Sequence, residues 1–133
     1  MFQLIHHTAD VRVRVDAESL EDLFRDSILG MYAVMRGEAP DGEPVQRTIA
    51  VDESANTTSL LVDFLNEALN RAQIGRELFD DVTFTRFDAN SLTAELRGRA
   101  PAEFEEDVKA VTYHEADVRM ENGRWTTMLV FDL

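Results

Sequence analysis

The sequence predicts an α+β fold in which most of the strands are antiparallel. Two segments in the first half of the chain carry apolar residues at three- and four-residue spacing, and alternating apolar and polar residues dominate the second half. The first spacing is that of an amphipathic helix, and the second is that of a half-buried strand. Two early helices followed by strands joined by tight turns are typical of helices that pack on antiparallel sheets.

The first predicted elements are a strand, a helix and a loop. Residues 11–15 alternate valine with arginine and predict the strand. Ser19 is a favoured N-cap, and the apolar stripe that follows it predicts a helix over residues 20–35, with Gly37 as its C′ residue. Two prolines and a glycine within residues 38–44 predict an exposed loop, which is too short to separate two domains.

A second strand and a second helix are predicted next. Residues 45–52 alternate weakly between apolar and polar side chains, which favours a strand. Asn56, Thr57 and Thr58 are candidate caps for a helix whose apolar stripe covers residues 60–69. The apolar stripes of both helices are interpreted as core, since aromatic and methionine residues at this spacing usually face an interior.

The second half of the chain is predicted to be a series of strands. Residues 82–96 contain two alternating runs, joined by a turn at residues 88–90. Residues 108–120 form a long β-rich stretch. The Asn122-Gly123 pair is a strong hairpin signal because a type I′ turn needs positive φ at both central residues, and residues 125–131 form the returning strand.

Length and composition predict one domain, residues 1–133, in the cytoplasm. The chain contains no cysteine, which excludes disulfides, thiolate metal sites and thiol nucleophiles. Its first residues lack the basic head and long apolar run of a signal peptide, and no apolar run is long enough to span a bilayer. Membrane association is therefore not expected.

Net charge separates the classes of partner. Twenty-six acidic and thirteen basic side chains give a formal charge of −13. Such a field repels phosphate backbones, so direct nucleic-acid binding is not expected, whereas cations or a basic partner protein are favoured. Simple solubility is the alternative explanation of the charge. Because the sequence also lacks a P-loop and a Gly-x-Gly-x-x-Gly motif, nucleotide chemistry by this chain alone is not expected.

Two aspartates at the ends of predicted strands form a candidate cation site. Asp10 precedes the first strand, and Asp132 closes the last one. Calcium prefers several oxygen ligands from carboxylates and backbone carbonyls. As the last residue of the printed sequence, Leu133 would add further oxygens beside Asp132. The sequence alone does not show that Asp10 and Asp132 are close in space.

The histidines and one lysine are the remaining candidates. His6, His7 and His114 together with Asp10 would suit a zinc hydrolase, although none has the spacing of a helical zinc motif. His7 would equally suit a turn cap, and His6 an exposed position. Lys109 lies in an apolar stretch, where it would pair with an acidic neighbour at residues 105–107 or contact a carboxylate or phosphate of a partner.

Five segments, in this order and spacing, resemble the archease family over essentially the whole chain. They are His7-Thr8-Ala9-Asp10, Ser19-Leu20-Glu21-Asp22-Leu23-Phe24, residues 59–67, residues 108–114 and residues 125–133. The resemblance implies an accessory protein and not an enzyme. Archeases promote guanylylation and multiple turnover of the tRNA-splicing RNA ligase, which joins a 2′,3′-cyclic phosphate or 3′-phosphate end to a 5′-hydroxyl.

The resemblance also implies site residues and a cofactor. A divalent metal, described as calcium, would bind through Asp10, Asp132 and Leu133. We further predict that Lys109 and the histidines His7 and His114 contact the ligase. This chain departs from the family pattern at His6, where many members carry an acidic or other residue, and at Arg99, where an acidic residue is common. Either departure would remove negative charge if it lay near the cation.

Three alternatives stay open from the sequence. The chain would be a chaperone-like modulator of another tRNA-processing enzyme, such as a tRNA methyltransferase, a role also suggested for some archeases. It would instead be a metal-dependent hydrolase that uses Asp10, His7, His114 and Asp132. In the third alternative, Asp10 only caps a turn through its own backbone. The three alternatives differ in whether the isolated protein hydrolyses a phosphoester and in whether a substitution of Asp10 reduces activity.

Overall fold

The computed structural model describes Met1 and residues 10–133. It confirms the predicted α+β class, with two helices and antiparallel strands. In chain order the elements are β1 (Asp10–Ala17), α1 (Leu20–Met35), β2 (Gly37–Glu38), β3 (Glu43–Val51), α2 (Thr57–Gly75), β4 (Leu78–Phe87), β5 (Leu92–Ala100), β6 (Glu103–Phe104), β7 (Ala110–Thr112), β8 (Arg119–Glu121) and β9 (Arg124–Asp132).

The strands form two principal sheets. The first sheet has the order β1-β9-β7, and β8 also pairs with β9. The second sheet has the order β3-β5-β4, and β2 pairs separately with β6. Every one of these pairings is antiparallel. The topology therefore places β1 beside β9, although the two strands are distant in the sequence.

Both predicted helix starts are confirmed by their caps. The Ser19 hydroxyl accepts the backbone N–H of Asp22 at 3.1 Å. The side-chain oxygen of Asn56 accepts the backbone N–H of Ser59 at 2.8 Å. Each bond satisfies one of the N–H groups that a helix leaves without a partner in its first turn.

The predicted end of α1 is wrong in its detail. Arg36, and not Gly37, adopts the left-handed conformation, with φ of 52°. Gly37 instead begins β2 opposite Phe104, where a Cβ atom would lie 2.7 Å from the Phe104 ring. Close packing against the Phe104 side chain, and not backbone conformation, therefore favours a glycine there. The predicted loop at residues 38–44 also contains the end of β2 and the start of β3.

The predicted β-rich stretch at residues 108–120 is only partly strand. β7 and β8 occupy three residues each, and residues 113–118 between them form a turn and an irregular segment. The N–H groups of Asp117 and Val118 donate to threonine hydroxyls at 3.1 Å and 3.0 Å. These side-chain acceptors replace the sheet partners that the apolar composition suggested.

The two predicted turns are confirmed. Asn122 and Gly123 have φ of 53° and 79°, as a type I′ turn requires, and they join β8 to β9. At the other turn, the Asp88 N–H donates to the Ser91 carbonyl at 2.8 Å between β4 and β5. Each turn is thus specified by residues adjacent in the sequence.

The core lies between the helices and the inner faces of the two sheets. α1 contacts β1 and β4, whereas α2 contacts β3 and β7, so each helix packs on both sheets. Phe24, Phe64, Phe79 and Phe131 are fully buried within it. No helix in the described part of the chain is both long and apolar enough to cross a membrane.

Candidate functional site

Asp10 and Asp132 are direct neighbours across the first sheet. They are paired in the register of β1 and β9. Side chains of directly opposed residues lie on the same face, with Cβ atoms roughly 4.5–5.5 Å apart. Because Phe131 points into the core and is fully buried, the two aspartates project from the outer face. We call these two residues the aspartate pair.

The third strand of the sheet completes the surroundings of the aspartate pair. Ala110 of β7 lies opposite Asp132 on the other side of β9. The backbone N–H of Lys109 donates to the Asp132 carbonyl at 2.7 Å. Lys109 itself is exposed. The backbone of Asp132 is therefore held from both sides, while its side chain is open to solvent.

One basic side chain offsets the negative charge at this edge. The Arg12 guanidinium lies 3.1 Å from the Asp10 carboxylate, and its Nε donates to Glu115 at 2.6 Å. The hydrogen bond to Glu115 and the nearby Asp10 charge raise the pKa of Arg12, which keeps this side chain cationic. Asp132 makes no ion pair within residues 10–133. Like charges directly opposite each other are unfavourable, so this edge favours a further cation.

The donors present fit a hard cation but do not complete a site. Two carboxylates and a backbone oxygen of Leu133 are the ligand types that calcium prefers. The Asp132 carbonyl already accepts the Lys109 N–H. Within the described residues, no group of three or more His, Asp or Glu side chains is arranged to hold a metal ion. The remaining ligands would have to be backbone oxygens or water.

Of the predicted histidines, only His114 belongs to the described residues, and the structure does not group it with the aspartate pair. His114 is exposed in the turn after β7, and its backbone N–H donates to the Thr112 hydroxyl at 3.3 Å. It does not form a metal-binding group with Asp10 and Asp132. The hydrolase hypothesis therefore loses one of its ligands. His6 and His7 lie outside the described residues.

Two other expectations from the sequence concern the surroundings of the basic residues Lys109 and Arg99. Lys109 makes no ion pair within residues 10–133, and Glu105, one of its proposed partners, pairs with Arg36 at 3.6 Å. Arg99 lies in β5 of the second sheet and donates to the Gly42 carbonyl at 3.2 Å. The expectation that Arg99 lowers the negative charge beside the cation is therefore not supported, because the aspartate pair belongs to the first sheet.

Sequence analysis missed two polar residues of α2 that hold the Lys109 segment. The Asn66 amide donates to the Val111 carbonyl and accepts the Val111 N–H, both at 2.9 Å. The Gln73 amide donates to the Val108 carbonyl at 2.6 Å. Asn66 and Gln73 are seven residues apart, which places them on one face of the helix. Two amide residues at this spacing, beside the apolar stripe of a predicted helix, are the sequence feature that indicates a polar contact with a neighbouring segment.

A second polar contact joins α2 to the segment that follows β7. The Tyr113 hydroxyl donates to one oxygen of the Asp63 carboxylate, and the Ser54 hydroxyl donates to the other at 2.8 Å. The bond to Asp63 raises the pKa of Tyr113. Burial raises the pKa of Tyr32, the only other tyrosine in the chain.

We therefore expect both tyrosines to titrate later in the folded protein than in the unfolded chain. A raised pKa means that the neutral phenol is favoured by folding. Its contribution to stability is present below the unfolded pKa of about 10 and is lost as pH rises through the folded value. Ultraviolet tyrosinate absorbance near pH 10 should be lower in native than in denatured protein. Asp63→Asn should move only the Tyr113 transition toward lower pH, and an unchanged titration would contradict the Asp63 contact.

Comparison with known proteins gives one consistent match. A profile of the Archease protein family matches residues 2–133. The protein named archease from Methanopyrus kandleri is 33% identical over 141 residues, covering 97% of this chain and 96% of its own length. The archease from Pyrococcus furiosus is 33% identical over 138 residues, covering 96% and 94%.

Solved structures show the same fold. The crystal structure of an archease from Thermotoga maritima, described as a possible chaperone, has a TM-score of 0.72 at 22% identity and covers 100% of this chain and 98% of that one. The solution structure of a Methanobacterium thermoautotrophicum protein has a TM-score of 0.66 at 27% identity, with coverage of 97% and 96%.

Proposed function

The chain belongs to the archease family, and we propose from this that it is an accessory activator of the tRNA-splicing RNA ligase and not an enzyme. The observation that carries the proposal is the direct pairing of Asp10 with Asp132, the two residues to which the family resemblance assigns the metal. We propose that this pair and a Leu133 oxygen bind a divalent cation, calcium in the first place. A bound cation would supply charge neutralisation at this edge.

The residues around the aspartate pair supply the contact with the ligase. Lys109 is exposed, makes no ion pair within the described part of the chain and is tied through its backbone to Asp132. Its ammonium group is therefore available for a carboxylate or phosphate of the ligase. His7 and His114 are proposed to contact the same partner. The protein would act in the cytoplasm, without binding RNA directly.

Activation in this proposal requires no chemistry by the chain itself. A protein that binds one conformation of its partner more tightly than another shifts the partner toward that conformation. The conformation favoured here would be the one in which the ligase histidine accepts guanylate. The formal charge of −13 suits a protein that docks on a basic, nucleotide-loaded cleft without competing for RNA phosphates.

The test measures cation binding and ligation separately. Asp10→Ala and Asp132→Ala should each weaken calcium binding by about tenfold or more in calorimetry, because each removes one of the two carboxylate ligands. Both should also abolish stimulation of multiple-turnover RNA ligation by the cognate ligase with GTP and divalent metal. Lys109→Ala should lose stimulation while retaining calcium affinity. Asp41→Ala, which removes an exposed aspartate from a loop of the second sheet, is the matched control.

Two results would count against this function. Absence of stimulation by folded wild-type protein would remove the ligase proposal. Undiminished stimulation by Asp10→Ala would remove the role of the aspartate pair. The description of the Thermotoga maritima relative as a possible chaperone favours one alternative, a chaperone-like modulator of another tRNA-processing enzyme such as a tRNA methyltransferase. That alternative predicts suppressed aggregation of the methyltransferase, independently of Asp10.

A further inference from the structure

The outer edge of β7 is closed by a side chain instead of a strand. β7 contains three residues and pairs on one side with β9. On its other side, the Asn66 amide donates to the Val111 carbonyl and accepts the Val111 N–H, both at 2.9 Å. One amide side chain thus reproduces the two hydrogen bonds that a neighbouring strand would make.

A second amide holds the residues that lead into β7. Gln73 donates to the Val108 carbonyl at 2.6 Å. Val108 and Val111 are buried with 0% and 2% exposure, and their carbonyl groups point to α2. Lys109 lies between these two anchors, and its N–H donates to the Asp132 carbonyl at 2.7 Å. The backbone is therefore fixed on both sides of the residue that contacts Asp132.

We propose that Asn66 and Gln73 are positioning residues for the aspartate pair. The proposal rests on cation binding by the aspartate pair, as inferred above. The two amides act through the backbone of residues 108–111, and Lys109 transmits the constraint to Asp132 by its N–H. Neither amide is a cation ligand in this arrangement.

The physical reason is the weakness of a three-residue strand. Such a strand has few ladder bonds, and a strand of this kind frays unless its other edge is also held. Without Asn66, the N–H and carbonyl groups of Val111 would have to form hydrogen bonds with water instead. The adjacent hydrogen bond from the Lys109 N–H to the Asp132 carbonyl would then open more often. The Asp132 side chain would then sample more orientations, and a cation would have to select one of them. Mutation of groups that orient metal ligands typically lowers the affinity for the metal by about 10–100-fold.

The first test is calcium affinity of the isolated protein by calorimetry. Asn66→Ala and Gln73→Ala should each raise the calcium dissociation constant by about tenfold, the low end of the range for residues that orient metal ligands. Ile49→Val is the matched control, since it trims a buried residue of β3 in the second sheet and reduces stability, whereas residues 108–111 lead into and form part of β7 in the first sheet. Unchanged calcium affinity in both folded alanine variants, with binding lost in Asp10→Ala, would overturn the proposal.

The second test needs no metal and separates this proposal from the proposed function. Hydrogen exchange of the Lys109 amide in metal-free protein should be about tenfold faster in Asn66→Ala and Gln73→Ala than in wild type, whereas Ile49→Val should leave the local opening of that amide unchanged. An unchanged Lys109 amide would overturn positioning by α2. If wild-type protein binds no calcium, the cation site fails, and the positioning of Asp132 is decided by this exchange alone.

Discussion

Replacing Gly98 with alanine should lower the unfolding free energy by about 3 kcal/mol, or prevent folding altogether. Gly98 lies in β5, the central strand of the second sheet, opposite Phe79. A Cβ atom there would lie 1.8 Å from the Leu78 carbonyl oxygen and 2.7 Å from the Phe79 Cα. These are backbone atoms of β4, which cannot rotate away as a flexible side chain can. The register of β4 and β5 shifts between Phe79 and Asp81, directly beside this contact.

A second glycine offers a control of opposite sign. Gly30 lies within α1, and a Cβ atom there would meet the Val13 side chain at 3.7 Å, an ordinary van der Waals contact. Gly30→Ala should raise stability by about 0.5–1 kcal/mol because alanine is the better helix former. The Tm of Gly30→Ala should therefore exceed that of Gly98→Ala by roughly 10 °C or more in thermal unfolding. A Gly98→Ala protein as stable as wild type would contradict the close backbone approach.

Removing the guanidinium of Arg47 should destabilise the fold by about 3 kcal/mol, because it leaves a buried carboxylate without its partner. The Glu77 side chain is 6% exposed, and Arg47 contacts both of its oxygens, at 2.8 Å to one and 3.1 Å to the other. Arg47 itself is 42% exposed, which is why the expected loss lies at the low end for a buried pair. The measurement is denaturant unfolding of Arg47→Met.

The two partners should not be equivalent in this pair. Glu77→Gln leaves a guanidinium that water can reach, so its cost should be smaller than that of Arg47→Met. Arg97→Met is the matched control, because the Arg97–Asp81 pair is exposed on the same sheet and such pairs contribute little. Equal losses for Arg47→Met and Arg97→Met would show that burial of Glu77 does not control the energetics.

The distribution of ion pairs distinguishes Lys109 from most basic residues of this acidic chain. Among the lysine and arginine residues of the described range 10–133, only Lys109, Arg71 and Arg99 make no ion pair with a carboxylate. Of these three, Lys109 is the one whose backbone is bonded to the aspartate pair. Within the described residues, Lys109 thus carries a positive charge without an ion-pair partner, beside the proposed metal site, although the chain has 26 acidic side chains. We expect its ammonium group to bind a carboxylate or phosphate of the ligase.

Local chemistry in the sequence determined the helix starts, the turns and the fold class. Ser19 and Asn56 cap their helices, and Asn122-Gly123 forms the predicted hairpin turn. These features depend on residues a few positions apart, so the sequence pattern contains all the information needed. The archease family assignment likewise follows from motifs that are local and ordered along the chain.

The tertiary structure alone decided what distant residues do together. The register of β1 and β9 places Asp10 opposite Asp132, and α2 brings Asn66 onto the edge of β7. The irregular path of residues 113–118 and the packing that favours glycine at position 37 also depend on remote partners. The sequence suggested Asp10 and Asp132 as two separate strand ends. Their adjacency depends on which strands pair and in which register, and no pattern within either segment contains that information.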